Sequence, residues 1–224
     1  MTNDLEPFNS DGAQLFSGAL GDSLGELEAV LSEMPAEEAG TRLHGIAQLR
    51  PFLAPAGCIG SIAAKALGQS AKPVRAILFN KTAETNWALA WHQDRTICVK
   101  ERKEVAGFGP WTVKQGMHHV APPFDLLAQM VTLRAHLDDV PPSNAPLLIA
   151  PGSHRLGRVA VDAMDEAVER CGRHVCLAQA GDVWLYATPI LHASDAATSP
   201  ASRRVLQVDF AAFDLPGGLE WLGV

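Results

Sequence analysis

Trp91-His92-Gln93-Asp94 and, far downstream, His192 and Arg203 are the residues of this chain whose types and order could do chemistry. Two imidazole nitrogens and one carboxylate oxygen make a facial ligand set suited to non-haem Fe(II), with open positions left on the metal. A guanidinium is a planar fork that grips a carboxylate through two parallel hydrogen bonds, so Arg203 could clamp a dicarboxylate cosubstrate. Residues two apart on a strand share a face, which lets His92 and Asp94 project together while Gln93 points away. His192 follows Gly181-Asp182-Val183-Trp184-Leu185-Tyr186, a turn feeding an apolar run, and suits a third ligand. Beyond it, Arg203, Val205, Gln207 and Asp209 share one strand face and Arg204, Leu206, Val208 and Phe210 the other. The first face is polar enough to line a reactive cavity and the second suits a core. Strand parity therefore selects Arg203 as the clamp and sends Arg204 towards solvent.

These groups need a scaffold of strands. The first third, residues 1–72, reads as helical. Asp22 or Ser23 can cap a helix running through about Glu33, with Leu24, Leu27, Val30, Leu31 and Met34 at helical spacing. A second helix is expected after Pro51, using Leu53, Cys58, Ile59, Ile62, Ala63 and Leu67 and stopped by Gly68. From Val74 the pattern changes to short β-rich runs separated by turn residues, with strands expected at 74–79, 88–91, 96–100, 130–137, 147–150, 182–186, 190–193 and 204–211. Helical interruptions are expected at 124–129 and 162–171. The fold class is mainly β with α: a jelly roll over 73–214, braced by N-terminal helices, in a single domain over 1–224. The long stretch 95–125 reads as a lid-like insertion.

Composition narrows the partners. The formal net charge of −7 opposes binding to a polyanion such as nucleic acid, which needs clustered cations. No apolar run is long enough to span a bilayer and no basic-then-apolar leader opens the chain, so a soluble cytoplasmic protein is expected. Cys58, Cys98, Cys171 and Cys176 lack paired spacing and read as reduced thiols.

The ordered set Ile77-Leu78-Phe79-Asn80-Lys81, Trp91-His92-Gln93-Asp94, Leu137-Asp138-Asp139, Asn144-Ala145-Pro146-Leu147, Pro151-Gly152-Ser153-His154, Gly181-Asp182-Val183, His192-Ala193-Ser194 and Arg203-Arg204 resembles the phytanoyl-CoA dioxygenase family of Fe(II)/2-oxoglutarate-dependent oxygenases. The resemblance covers about the C-terminal two thirds. It implies a cupin-like double-stranded β-helix holding iron through His92, Asp94 and His192, with no catalytic residue beyond these ligands. It also implies that Arg203 and Ser194 bind 2-oxoglutarate, with Arg134 and Ile77 at further cosubstrate positions. O2 would be the second cosubstrate, and the outcome the hydroxylation of a C–H bond of a small organic molecule with release of succinate and CO2. Ala145 departs from the family's usual glycine at a tight turn.

The remaining signals divide less sharply. His118 and His119 are adjacent, so an extended chain sends them to opposite faces, and His119 is favoured for the substrate pocket. His136 reads as a hydrogen-bonded core histidine, His154 as a turn residue, and His44 and His174 as surface residues. Arg95, Lys100, Arg102, Lys103 and Lys114 make the insertion locally basic, which would steer an anionic substrate; the alternative is a solvated strand edge guarded by charge. Trp111 either caps the pocket or anchors its loop. Two other functions remain open to the residues: a non-enzymatic jelly-roll binding protein, and another metal-dependent cupin-type enzyme such as an isomerase.

Overall fold

A computed structural model describes residues 4–35, 39–84 and 86–224. The helices are α1 (Glu6–Asp11), α2 (Leu24–Leu31), α3 (Arg50–Leu53), α4 (Gly60–Leu67), α5 (Phe124–Leu127) and α6 (Met164–Cys171). The strands are β1 (Ala13–Phe16), β2 (Gly40–Leu43), β3 (Lys72–Lys81), β4 (Leu89–His92), β5 (Ile97–Val99), β6 (Trp111–Lys114), β7 (Met117–Val120), β8 (Val131–His136), β9 (Leu147–Ile149), β10 (His174–Cys176), β11 (Val183–Ala187), β12 (His192–Ser194) and β13 (Arg203–Ala211). They pair antiparallel in a six-stranded sheet, β1-β11-β8-β13-β3-β2, a four-stranded sheet, β10-β9-β12-β4, and a three-stranded sheet, β5-β7-β6. The first two face each other as the expected double-stranded β-helix.

Alternation along β13 builds both faces of the large sheet. Leu206, Val208 and Phe210 join Leu78 of β3, Leu133 of β8 and Leu185 of β11 on the outer face, where Leu27, Leu31, Phe52, Leu53, Ile59 and Ile62 of the N-terminal segment cover them. Each such aliphatic or aromatic side chain contributes about 1.5–3 kcal/mol when fully buried. The inner face carries Arg203, Gln207 and Asp209, all nearly inaccessible. One end between the two sheets is closed by Trp184 and Tyr186 against Leu147, Ile149, Cys176 and Ile190.

The structure corrects several expectations. The segment before residue 73 is not only helical, because β1 and β2 form the two edges of the large sheet. The helix expected after Pro51 is two helices. Ala54 precedes Pro55, which disfavours helical backbone, and adopts extended geometry with ψ 156°. The chain then doubles back so closely that a Cβ on Gly57 would lie 2.2 Å from the Pro51 carbonyl oxygen. Gly68 ends α4 as expected, at φ 84°. The other helix ends at Leu31, short of Glu33, and its N-cap residue Ser23 makes no side-chain capping bond. The 95–125 insertion is a small sheet with its own apolar cluster, in which Ile97, Val99 and Val120 pack on Leu215, Leu219 and Trp221. Arg204 does not run free to solvent: it bonds Asp138 Oδ1 at 2.7 Å and Glu28 Oε1 at 2.7 Å, tying α2 to the sheet.

Because Leu206 is fully buried between sheet and helices, Leu206→Ala should cost about 2–5 kcal/mol, read as a lower midpoint in urea unfolding. A loss under about 1 kcal/mol would mean that the helical layer does not pack there as described.

Candidate metal centre and cosubstrate pocket

Strands β4 and β12 place His92 directly opposite His192, with ring centroids 4.2 Å apart. Asp94 follows just beyond the end of β4, and one donor atom from each of the three residues lies within 4.8 Å of the others. Both rings are oriented by their own strands. His92 Nδ1 lies 2.8 Å from the Ala90 carbonyl and His192 Nδ1 3.0 Å from the Ile190 carbonyl. A ring nitrogen facing a carbonyl must carry the proton, which leaves each Nε2 with its lone pair free for a metal. Burial, with the neighbouring His92 adding to it, holds the His192 pKa at about 4, so this imidazole stays neutral. For Asp94, burial opposes ionisation, but the neighbouring charges, Arg75 foremost, hold the carboxyl below its usual range.

Two further contacts fix where Asp94 sits. Arg75 on β3 donates through Nε to Asp209 Oδ2 at 2.6 Å, and its NH2 stands 3.5 Å from Asp94 Oδ2. Thr132 donates to the other Asp209 oxygen at 3.0 Å. Gln93, between the two ligands, points away from them, as alternation requires. Its amide donates to the carbonyls of Gly157 and Pro189 at 3.0 and 2.8 Å, and its oxygen accepts from Val159 N at 3.0 Å.

Beside this group lies a cluster of buried cationic side chains, Arg134 acting on both Asp94 and Arg203. Arg203 is 3% exposed; it donates to the Ala145 carbonyl, and its Nε is buried without a partner. Burial and the adjacent Arg134 pull its pKa down to about 9. Arg134 donates to Gln207 Oε1 at 3.1 Å and lies 5.4 Å from the Phe79 ring centre. Among the described residues neither arginine has a carboxylate partner. Ile77, 7% exposed, sits opposite Gln207 on the same face, and Ser194 Oγ points at the Ala145 carbonyl from 3.4 Å. Ala145 itself has φ 51°, a left-handed conformation costing a non-glycine residue about 1–2 kcal/mol. The turn survives the alanine, and its carbonyl is the oxygen shared by Arg203 and Ser194.

Other sequence expectations change. His136 is buried but not hydrogen-bonded: both ring nitrogens lack partners, and burial, with Arg134 and Arg203 nearby, lowers its pKa to about 3. Trp111 anchors the insertion, packing in the apolar cluster of the small sheet rather than over the metal group. The basic insertion is largely neutralised: Lys100 pairs with Glu220, Arg102 with Glu104 and Lys103 with Glu101. Arg95 is spent on the Val159 carbonyl. Lys114 has no ion pair among the described residues and is exposed, whereas His119 is buried on the adjoining strand β7. Arg75 escaped the sequence reading altogether. Its alternation with Ile77 along β3 was the available signal.

The donor set fits one metal ion: two imidazoles whose Nδ1 atoms face carbonyls and whose Nε2 atoms are left for a metal, and the Asp94 carboxylate, one buried oxygen of which accepts no hydrogen bond. A dicarboxylate fits the neighbouring buried guanidinium. Fold and site together define an Fe(II)/2-oxoglutarate-dependent dioxygenase. The family model described as phytanoyl-CoA dioxygenase (PhyH) matches residues 37–205, and the chain belongs to that family. Among solved structures it is similar to EctD from S. alaskensis with 2-oxoglutarate and 5-hydroxyectoine, at 20% identity and TM-score 0.68, covering 100% of this chain and 80% of that one. It is also similar to HygX from Streptomyces hygroscopicus with nickel, 2-oxoglutarate and hygromycin B, at 13% identity and TM-score 0.64, covering 94% of this chain and 87% of that one. No curated protein matches the chain by sequence.

Replacing Arg75 by Met together with Asp209→Asn, so that Asp209 is not left as an unpaired buried carboxylate, should weaken metal binding by about 10–100-fold. Co(II) titration followed by its visible absorption would show this; an unchanged affinity would remove Arg75 from the site.

Proposed function

We propose that His92, Asp94 and His192 hold Fe(II), and that Arg203 binds the distal carboxylate of 2-oxoglutarate, with Ser194, Arg134 and Ile77 lining the same pocket. The observation that carries this reading is the buried Arg203, for which no described residue supplies a counter-charge, beside a facial set of two imidazoles and a carboxylate. The related folds observed with iron, nickel or 2-oxoglutarate support it.

When bound, iron with 2-oxoglutarate supplies oxidising power from O2, with succinate and CO2 as the cosubstrate's products. The protein's residues supply ligation, orientation and exclusion of water. His92 and His192 present lone pairs because Ala90 and Ile190 hold their other nitrogens. Arg75 keeps Asp94 ionised and aimed. Arg203 and Arg134 form a dry cationic wall in which a carboxylate is favoured far more than in water. The organic substrate is a small molecule that undergoes hydroxylation at a C–H bond. The four cysteines are free thiols, which suits a reducing compartment and a cytoplasmic enzyme. Among the described residues no helix is long and apolar enough to cross a membrane.

In a screen for succinate release, His92→Ala and Asp94→Ala should abolish turnover. Arg203→Ala should raise the 2-oxoglutarate concentration required by roughly 10–100-fold, the worth of a hydrogen bond to a charged group. Equal cosubstrate requirements in Arg203→Ala and the parent protein would contradict the clamp.

A further inference from the structure

Among the described residues the Arg42 side chain has no hydrogen-bond or ion-pair partner. Strand β2 sets it opposite Ile77 on β3, and antiparallel partners project to the same face, so Arg42 shares the inner face with Ile77 and, two residues away, Arg75. Its Nε is buried and unbonded, and its guanidinium makes no ion pair or hydrogen bond among the described residues. Burial first and Arg75 second destabilise its charge. Arg75 cannot share its own carboxylates, being engaged with Asp209 and Asp94.

The hairpin β6–β7 is fastened at this place. Gln115, at its tip, accepts from the Arg42 backbone N–H at 2.8 Å and donates to the Gly40 carbonyl at 3.2 Å. On that hairpin Lys114 pairs with Met117 and Thr112 with His119, so Lys114 and His119 lie on one face. The opposite face carries Trp111 and Val120, which pack into the apolar cluster. The face of Lys114 and His119 is therefore the one turned to Arg42 and Arg75, whose charges act on His119 together with that of Lys114. The insertion's other lysines are spent on Glu220 and Glu101. Among the described residues Arg42 and Lys114 are thus two cations without an ion pair, one on the edge strand β2 and the other on the hairpin whose tip residue Gln115 is fastened to that strand.

We propose that Arg42, with Lys114, is the subsite for an anionic group, a carboxylate or phosphate, on the molecule that is oxidised. An uncompensated guanidinium on a half-buried inner face is stabilised by an anion brought by a ligand, and its planar fork fits an oxyanion bidentately. Lys114 adds a mobile point charge at the rim. Arg203 serves the cosubstrate on β13, whereas Arg42 serves the substrate two strands away, on β2. The proposal rests on the oxygenase reading and specifies its substrate class.

The test uses the full chain loaded with Mn(II) in place of iron and saturated with 2-oxoglutarate, with inorganic phosphate as the probe and 31P relaxation as the readout. Saturable paramagnetic relaxation is expected in the parent protein. Arg42→Gln should weaken phosphate binding by about ten-fold or more, as expected for losing a charge-assisted bond, and Arg42→Gln with Lys114→Gln should remove the saturable component. Lys103→Gln, at a lysine already paired with Glu101, should behave as the parent does. No saturable relaxation in the parent, or the same binding in Arg42→Gln, would overturn the subsite. An EPR spectrum of free Mn(II) would instead sink the metal reading on which the subsite depends.

Discussion

Everything in the site leans on Arg75. Its guanidinium lies between Asp209, on the six-stranded sheet, and Asp94, just past the end of β4 on the four-stranded one. Burial alone would disfavour this cation, but the two carboxylates more than restore its charge. The same contact keeps Asp94 ionised. Arg75 and Asp209 form a buried pair and the partly exposed Asp94 completes the set; breaking the buried pair by removing one partner would cost about 3–5 kcal/mol. That mutual dependence locks the two sheets at the spacing that brings Asp94 to the two imidazoles. Gln93 completes the arrangement from behind by saturating three backbone groups.

The adjoining pocket has the opposite character. Arg203 and Arg134 face one another's field without a carboxylate among the described residues, and Lys81 joins them, its pKa brought down to about 8 by burial and then by Arg203. A protein holds unpaired buried cations at a cost to stability, and recovers that cost on binding a matching anion. Stability and cosubstrate affinity are consequently two readings of one charge arrangement. Tyr186 and Gln207 share this region, with the tyrosine hydroxyl 3.3 Å from Gln207 Oε1, so the polar inner face is a connected network rather than a scatter of side chains. Uniform burial of that network keeps its electrostatics strong.

The sequence carried a good part of this, and the physical reasons for the omissions are specific. Period-two alternation along β13 separated Arg203, Gln207 and Asp209 from Leu206, Val208 and Phe210, and the structure sends the first set inward and the second into the core. His92, Asp94 and His192 converge, as their residue types and order led one to expect. The edges of the large sheet were hidden because β1 and β2 are four residues each, too short for alternation to register without the strands they pair with. Arg75 and Arg42 were missed for a related reason: their importance comes from register with β13 and β3, and register is a property of pairs of strands. For the insertion, the structure favours the solvated, charge-guarded edge over steering by most of its cations. Glu101 and Glu104 are near in sequence to the cations they pair with, whereas Glu220 reaches Lys100 from the C-terminal end, a partner that only the fold supplies.

The central claim is that the two imidazoles, Asp94 and Arg203 jointly hold Fe(II) and 2-oxoglutarate. Anaerobic titration with Fe(II) tests it most directly. The protein should remain nearly colourless with iron alone and develop a visible charge-transfer band when 2-oxoglutarate is added, with no band in His192→Ala. Saturating iron and 2-oxoglutarate that yield no band, or a band of equal strength in His192→Ala, would contradict the account.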